Sequence, residues 1–172
     1  MGDFKKNKLF SATGILMKKN AFLVLVKTEW NASVVNELEA GCINELKKHS
    51  VKKIITLVVP GAFEIPFTIK SYWLNAPRKK RPDAFIALGC LIRGETSHFD
   101  YLCQGVTEGI MQLNLFLPVP TIFGVLTVEN EEQAKARIGG RHGHKGEEAA
   151  LAALKMINPQ PLKGSKEKEA VK

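Results

Sequence analysis

Cysteine is scarce in this chain: Cys42, Cys90 and Cys103 are the only three among 172 residues. They are odd in number and lack a CxxC spacing, which argues against a disulfide scaffold and against a cysteine-based zinc site. A reducing compartment fits, so the cytoplasm is the expected location. Long apolar runs are also missing. None approaches the ~18 residues that a membrane span needs, and the lysines at positions 5, 6 and 8 are not followed by the apolar block of a secretory leader. Neither GxGxxG nor GxxxxGK(S/T) occurs, which leaves the two standard phosphate-cradling loops without support. Histidine is limited to four residues, and the spacing of His98, His142 and His144 matches no defined metal site. No metal and no cofactor are expected.

What the chain has in excess is positive charge. Lys and Arg number 25 against 17 Asp and Glu, a balance of +8, which favours anionic ligands or unspecific nucleic-acid contact and says nothing about fold. Part of it is peripheral. The run Arg78, Lys79, Lys80, Arg81 lies between two prolines and reads as a solvated loop, not as a nucleic-acid contact. Neither nucleic acid nor membrane is an expected partner.

The length suits one domain. Residues 1–12 read as a lysine-bearing arm that is loose or lies on another surface, 13–157 as the domain, and 158–172 as a disordered basic tail. Within the domain, Gly14–Met17 reads as a short edge segment and Ala21–Lys27 as the first firm strand, rich in branched and aromatic side chains. Residues 33–48 carry Val35, Leu38, Cys42 and Leu46 at helical steps, with Lys47 and Lys48 at the favourable end. Gly41 within that helix implies close packing. Lys53–Val59 is a second strand, and Phe63–Leu74 a helix that tolerates Pro66 in its first turn. Asp83–Gly89 is a third strand, His98–Phe116 a helix, and Thr121–Thr127 a fourth strand. Asn130–Arg137 begins like a capping box with Asn130 and Gln133. Gly139, Gly140, Gly143 and Gly146 then form a hinge before a last helix, Glu147–Met156. Three long crossovers between strands predict an α/β fold with a four-stranded parallel sheet covered by helices on both faces.

Ligands in such sheets sit beyond the carboxyl ends of the strands, and there the uncommon residues fall. Trp30 and Asn31 follow the first strand, Pro60–Glu64 the second, Arg93–His98 the third, and Glu129, Asn130 and Arg137 the fourth. Trp30 either stacks on a flat heterocycle beside the Asn31 amide or plugs the end of the core. Glu64 either answers the dipole of its helix or accepts hydroxyl bonds from a sugar-like chain. His98 begins a helix among small polar neighbours, where an imidazole serves better as a neutral base or proton shuttle; the other reading is a structural cap. Gly94, Thr96 and the first-turn amides suit a phosphate, with Arg93 or Arg137 as the charged fork.

Five blocks, in this order and spacing, resemble the lumazine synthase family. They are WN at Trp30–Asn31, VPGAFEIP at Val59–Pro66, LGCLIRGETSHFDY at Leu88–Tyr101, FGVLTVENEEQAKAR at Phe123–Arg137, and GHKGEEAA at Gly143–Ala150. The resemblance covers residues 20–157 and implies a three-layer, flavodoxin-like fold. It implies condensation of 5-amino-6-(D-ribitylamino)uracil with 3,4-dihydroxy-2-butanone 4-phosphate, without a cofactor. By that resemblance Trp30 stacks on the pyrimidine, and Asn31, Cys90, Leu91 and Ile92 contact its edge, the last three partly through backbone. Ala62, Phe63 and Glu64 take the ribityl side. Glu95 and Thr96 lie at the phosphate, His98 transfers protons, Arg137 holds the phosphate, and Phe123 and Lys145 complete the ring pocket. Phe123 and Arg137 are expected from a neighbouring subunit, which implies self-association as a homopentamer or a 60-subunit shell, with a riboflavin synthase as a possible associate. Three positions depart from the family's habit: Glu29, where relatives often carry a basic residue; Cys90, in place of a small hydroxyl residue; and Glu95, whose carboxylate must point away from a phosphate or pair with Arg93 or a lysine. A lumazine carrier without activity, a riboflavin synthase and a basic RNA-binding scaffold are the competing classes.

Overall fold

Phe22–Thr28 (β1), Lys53–Val59 (β2), Ala84–Ile92 (β3) and Thr121–Val128 (β4) pair side by side in the order β2-β1-β3-β4, all parallel, in a computed structural model that describes residues 20–157. The central strands β1 and β3 are almost fully buried. Period-two alternation sends their side chains to two separate cores. Leu23, Leu25, Ile86 and Leu88 join one cluster, and Val24, Val26, Phe85 and Ala87 the other. Burial on both faces is why these strands are apolar throughout and do not alternate with polar residues.

The first cluster is closed by Ala32–Lys48 (α1) and Lys145–Met156 (α5), the second by Ile65–Asn75 (α2) and His98–Phe116 (α3). The inward stripe of α1 is the one its spacing predicts, with Val35, Leu38, Cys42 and Leu46 at zero exposure. Gly41 explains itself at the crossing with α5: a Cβ there would stand 2.1 Å from the His144 ring, and one on Gly146 would stand 2.0 Å from the Leu38 carbonyl oxygen. Pro66 sits in the first turn of α2, preceded by a 3₁₀ turn at Ala62–Glu64. Asn114 near the end of α3 exchanges two hydrogen bonds with the backbone of Thr121, 2.9 and 2.8 Å, and so sets where β4 begins.

The structure corrects four expectations. β3 runs on to Ile92, because β4 lies alongside and gives Cys90, Leu91 and Ile92 ladder partners in Leu126, Thr127 and Val128; these three are strand, not loop. The helix after β4 is shorter, Glu131–Lys135 (α4). Its cap uses the Asn130 side chain on the Gln133 amide, but Gln133 returns its bond to the Glu129 amide, not to that of Asn130. The glycine-rich stretch is a small antiparallel hairpin, Ile138–Gly140 (β5) with Gly143–His144 (β6), and not a hinge. Gly139 and Gly143 adopt φ of 109° and 81° there, which a side chain disfavours. The expected Gly14–Met17 edge segment, the arm and the tail lie outside the described residues.

Candidate active site

β1 ends at Thr28, and the next turn is tied from both sides: the Trp30 amide donates to the Pro60 carbonyl (3.3 Å), and the Thr28 hydroxyl donates to the Trp30 carbonyl (3.1 Å). The indole is left 73% exposed, which rules out the core-plug reading. Asn31 takes the left-handed conformation, φ 56° and ψ 42°, that asparagine tolerates better than most side chains. From there its Nδ2 donates to the Cys90 carbonyl at 2.8 Å, so the amide bridges β1 to β3.

Beyond β2, the 3₁₀ turn presents Phe63 outward and Ala62 inward. A Cβ on Gly105 of α3 would stand 3.0 Å from the Phe63 ring, so the ring rests on bare helix backbone. The Glu64 carboxylate accepts the Gly61 amide (3.0 Å). Glu64 thus stabilises its own turn and also lines the cleft.

β3 supplies the floor. Cys90 is 2% exposed and burial pushes its thiol up to about 11, so it is neutral at physiological pH and meets its neighbours through its backbone. Leu91 and Ile92 are half-buried beside it. The loop that follows carries Gly94, Thr96 and His98 to the rim. His98 is the first residue of α3, and its amide donates to the Thr96 hydroxyl (3.4 Å). The Asp100 amide donates to the Ser97 carbonyl (3.0 Å), and the positive end of the α3 dipole points at the rim of the cleft.

Trp30, Asn31, Ala62, Phe63, Glu64, Cys90, Leu91, Ile92, Thr96 and His98 thus share one cleft of about 400 Å³. Thr28, Gly61, Phe99 and Leu102 also line it. They carry no chemistry that a sequence would flag. Glu95, exposed on the same loop, does not line the cleft.

Arg93 does not line the cleft, and its guanidinium is engaged elsewhere. Its guanidinium makes a bidentate pair with Asp100 (3.0 and 2.8 Å), donates through Nε to Glu129 (2.8 Å), and lies 4.3 Å over the Phe99 ring. The pairing holds the Asp100 carboxyl below its usual value and raises the guanidinium above its own. Of the alternatives for Glu95, pairing with Arg93 is not seen, since Asp100 and Glu129 occupy that guanidinium.

Phe123, Arg137 and Lys145 do not line this cleft. Phe123 stands opposite Ala87 in the sheet, well before the carboxyl end of β4, and is partly exposed. Arg137 follows α4, and Lys145 begins α5 with its ammonium 2.6 Å from Glu148. Among the described residues no three His, Cys, Asp or Glu side chains are placed to hold a metal. None of the described helices is long and apolar enough to cross a membrane.

The family model described as 6,7-dimethyl-8-ribityllumazine synthase matches residues 20–160. A protein of that name from Parabacteroides distasonis is 47% identical over 136 residues, 78% of this chain and 82% of its own length. One from Porphyromonas gingivalis is 49% identical over 140 residues, 80% and 84% of the two chains. One from Flavobacterium psychrophilum is 40% identical over 158 residues, 91% and 78%. The matched span takes in every strand of the sheet and every loop that builds the cleft, and on that ground the chain belongs to the 6,7-dimethyl-8-ribityllumazine synthase family.

Proposed function

We propose that this chain is a transferase of riboflavin biosynthesis that condenses 5-amino-6-(D-ribitylamino)uracil with 3,4-dihydroxy-2-butanone 4-phosphate to 6,7-dimethyl-8-ribityllumazine and releases phosphate. The observation that carries the reading is that an exposed Trp30, the start of α3 at His98 and the preceding Thr96 line one cleft. A flat ring and an anion are the two ligands such a cleft suits.

Trp30 stacks on the pyrimidine, and Asn31, its amide oriented by the Cys90 carbonyl, reads the ring edge with the backbone of Cys90, Leu91 and Ile92. Phe63 and Ala62 flank the ribityl chain, and Glu64 accepts its hydroxyls. Thr96 and the first-turn amides take the phosphate, with Glu95 contributing backbone. Arg137 of a neighbouring copy adds its charge, and Phe123 and Lys145 complete the pocket. The absence of these three from the cleft of one subunit supports a site shared between copies. Apolar Met111, Leu115 and Phe116 on α3, and Val58 on the edge strand β2, remain exposed and suit the self-association that such sharing requires. Homopentamer or 60-subunit shell is the expected form, in the cytoplasm, with a riboflavin synthase as a candidate associate.

The chemistry asks mainly for placement. The uracil amine attacks the ketone and water leaves to give an imine; phosphate is eliminated, the resulting enol tautomerises to a ketone, and the second nitrogen attacks that carbonyl with loss of water. Holding two reactants in register is worth effective molarities on the order of 10⁵ M or more. Proton transfer by His98 adds roughly 10²- to 10⁴-fold. No step calls for a redox group or a Lewis acid.

Mixed-substrate turnover tests the proposal. One phosphate released per lumazine formed is the expected result; lumazine binding without phosphate release would indicate a carrier, and dismutation of purified lumazine a riboflavin synthase.

A further inference from the structure

Between Arg93 and Asp100 lies the whole segment that brings Gly94, Thr96 and His98 to the cleft. Residues 93–98 are all exposed, and a Cβ placed on Gly94 would meet nothing within 4 Å. Apolar packing therefore does not hold this loop. Its two ends are joined by the bidentate pair of Arg93 with Asp100, in the first turn of α3. The Arg93 amide also donates to the Val128 carbonyl (2.9 Å), one residue past the β3–β4 ladder. Its Nε bond to Glu129 reaches the β4–α4 connection, where the Glu129 amide is bound to Gln133. The guanidinium plane is held on the Phe99 ring, the residue next to His98. One side chain thus fixes the loop at both ends and against a second loop.

We propose that Arg93, with Asp100 and Glu129, is a positioning residue of the reaction: a clasp that sets the height and direction of the loop carrying Thr96 and His98, without touching substrate. This rests on the proposed condensation. A planar fork over an aromatic ring fixes direction as well as distance, which a lysine ammonium in the same place does not. The clasp is exposed, and exposed pairs add little to global stability. Its effect is therefore local order.

The test uses the full chain and four variants: Arg93→Met, which keeps an unbranched stem and removes the fork, Arg93→Lys, Asp100→Asn, and the double Arg93→Met/Asp100→Asn. Arg93→Met is expected to lower kcat about 10- to 100-fold, the scale expected for misplacement by an ångström. KM for the phosphate substrate should rise, while KM for the uracil substrate, held by Trp30 on the other side, stays within about twofold. Arg93→Lys should recover less than half of the lost rate, and the double variant should be no worse than the poorer single. Amide exchange across residues 94–102 should quicken in every variant, with the melting temperature within about 2 °C of the parent. Asp100→Asn decides the sign. If Arg93 were a phosphate ligand, freeing it would tighten phosphate binding, and that result overturns the clasp. So do additive losses, a rise of both KM values together with a fallen melting temperature, or unchanged amide exchange in Arg93→Met. A parent protein that turns over neither substrate defeats the proposed condensation instead, and amide exchange, which needs no substrate, still judges the clasp.

Discussion

The Nδ2 of Asn31 donates to the carbonyl of Cys90 at 2.8 Å, from a residue whose backbone lies in the left-handed region. One side chain thereby joins the turn after β1 to the carboxyl end of β3, which forms the floor of the cleft. Asn31→Gly keeps the backbone conformation at no steric cost and deletes the bridge. A net loss of about 1 kcal/mol for the hydrogen bond is offset by relief of the left-handed strain, about 1 kcal/mol. The expected outcome is a near-parental melting curve with KM for the uracil substrate raised several-fold. Asn31→Val, β-branched in a region it avoids, should instead fall measurably in stability.

Trp30 is mostly outside the core, so its removal is expected to affect ligand binding and leave the fold intact. Aromatic stacking on a base is worth about 1–3 kcal/mol by alanine substitution. Trp30→Ala should raise KM for the uracil substrate about 10- to 100-fold, with unfolding by urea unchanged. Titration of the pyrimidine should quench indole fluorescence in the parent, with most of the quench lost in the variant.

If Arg137 serves the site of an adjacent copy, two impaired proteins will repair each other. Trp30→Ala and Arg137→Ala subunits, unfolded together and refolded as a mixture, should yield hybrid assemblies with activity well above either parent variant, because some sites then draw both intact residues. Activity equal to the mean of the two variants, in assemblies shown to be mixed, argues that Arg137 acts within its own subunit or not at all. Phosphate release measured on the purified mixture gives the answer.

The crossing of α1 on α5 has no room for a methyl group. In an exposed helix Gly→Ala gains about 1 kcal/mol, but at Gly146 the new Cβ meets the Leu38 backbone oxygen, and at Gly41 it meets the His144 ring. Overpacking costs about 1–3 kcal/mol. Both variants should unfold at lower urea, and Gly146→Ala should suffer more, since backbone yields less readily than an imidazole. Gly41→Ala should be partly restored by His144→Ala, although that also removes the acceptor of the Gly146 amide.

Burial, with Glu39 nearby, raises the Cys42 thiol from 9.0 to about 12. The unfolded chain gives up this proton near pH 9, while the folded chain keeps it to about 12. Ionisation therefore favours the unfolded state across that window: the stabilisation is complete below pH 9 and is lost as pH rises toward 12. Alkaline unfolding curves should shift accordingly, and Cys42→Ala should flatten the slope. Alkylation at pH 9 should leave Cys42 unmodified in the native protein and complete only after unfolding.

The alternation of strand and helix, the inward stripe of α1 and the gathering of Trp30, Phe63, Glu64 and His98 at one sheet edge were determined by the chain on its own. They depend on periodicity, on breakers such as Pro60 and Gly61, and on the rule that parallel strands share a carboxyl end. The tertiary structure decided what depends on partners distant in sequence. It lengthened β3 to Ile92 by laying β4 beside it and folded the glycine-rich stretch into the β5–β6 hairpin. It also gave the Arg93 fork to Asp100 and Glu129. A guanidinium has the same sequence signature whether it faces a phosphate or two carboxylates, and only the meeting in space of two loops and the first turn of α3 selects between them.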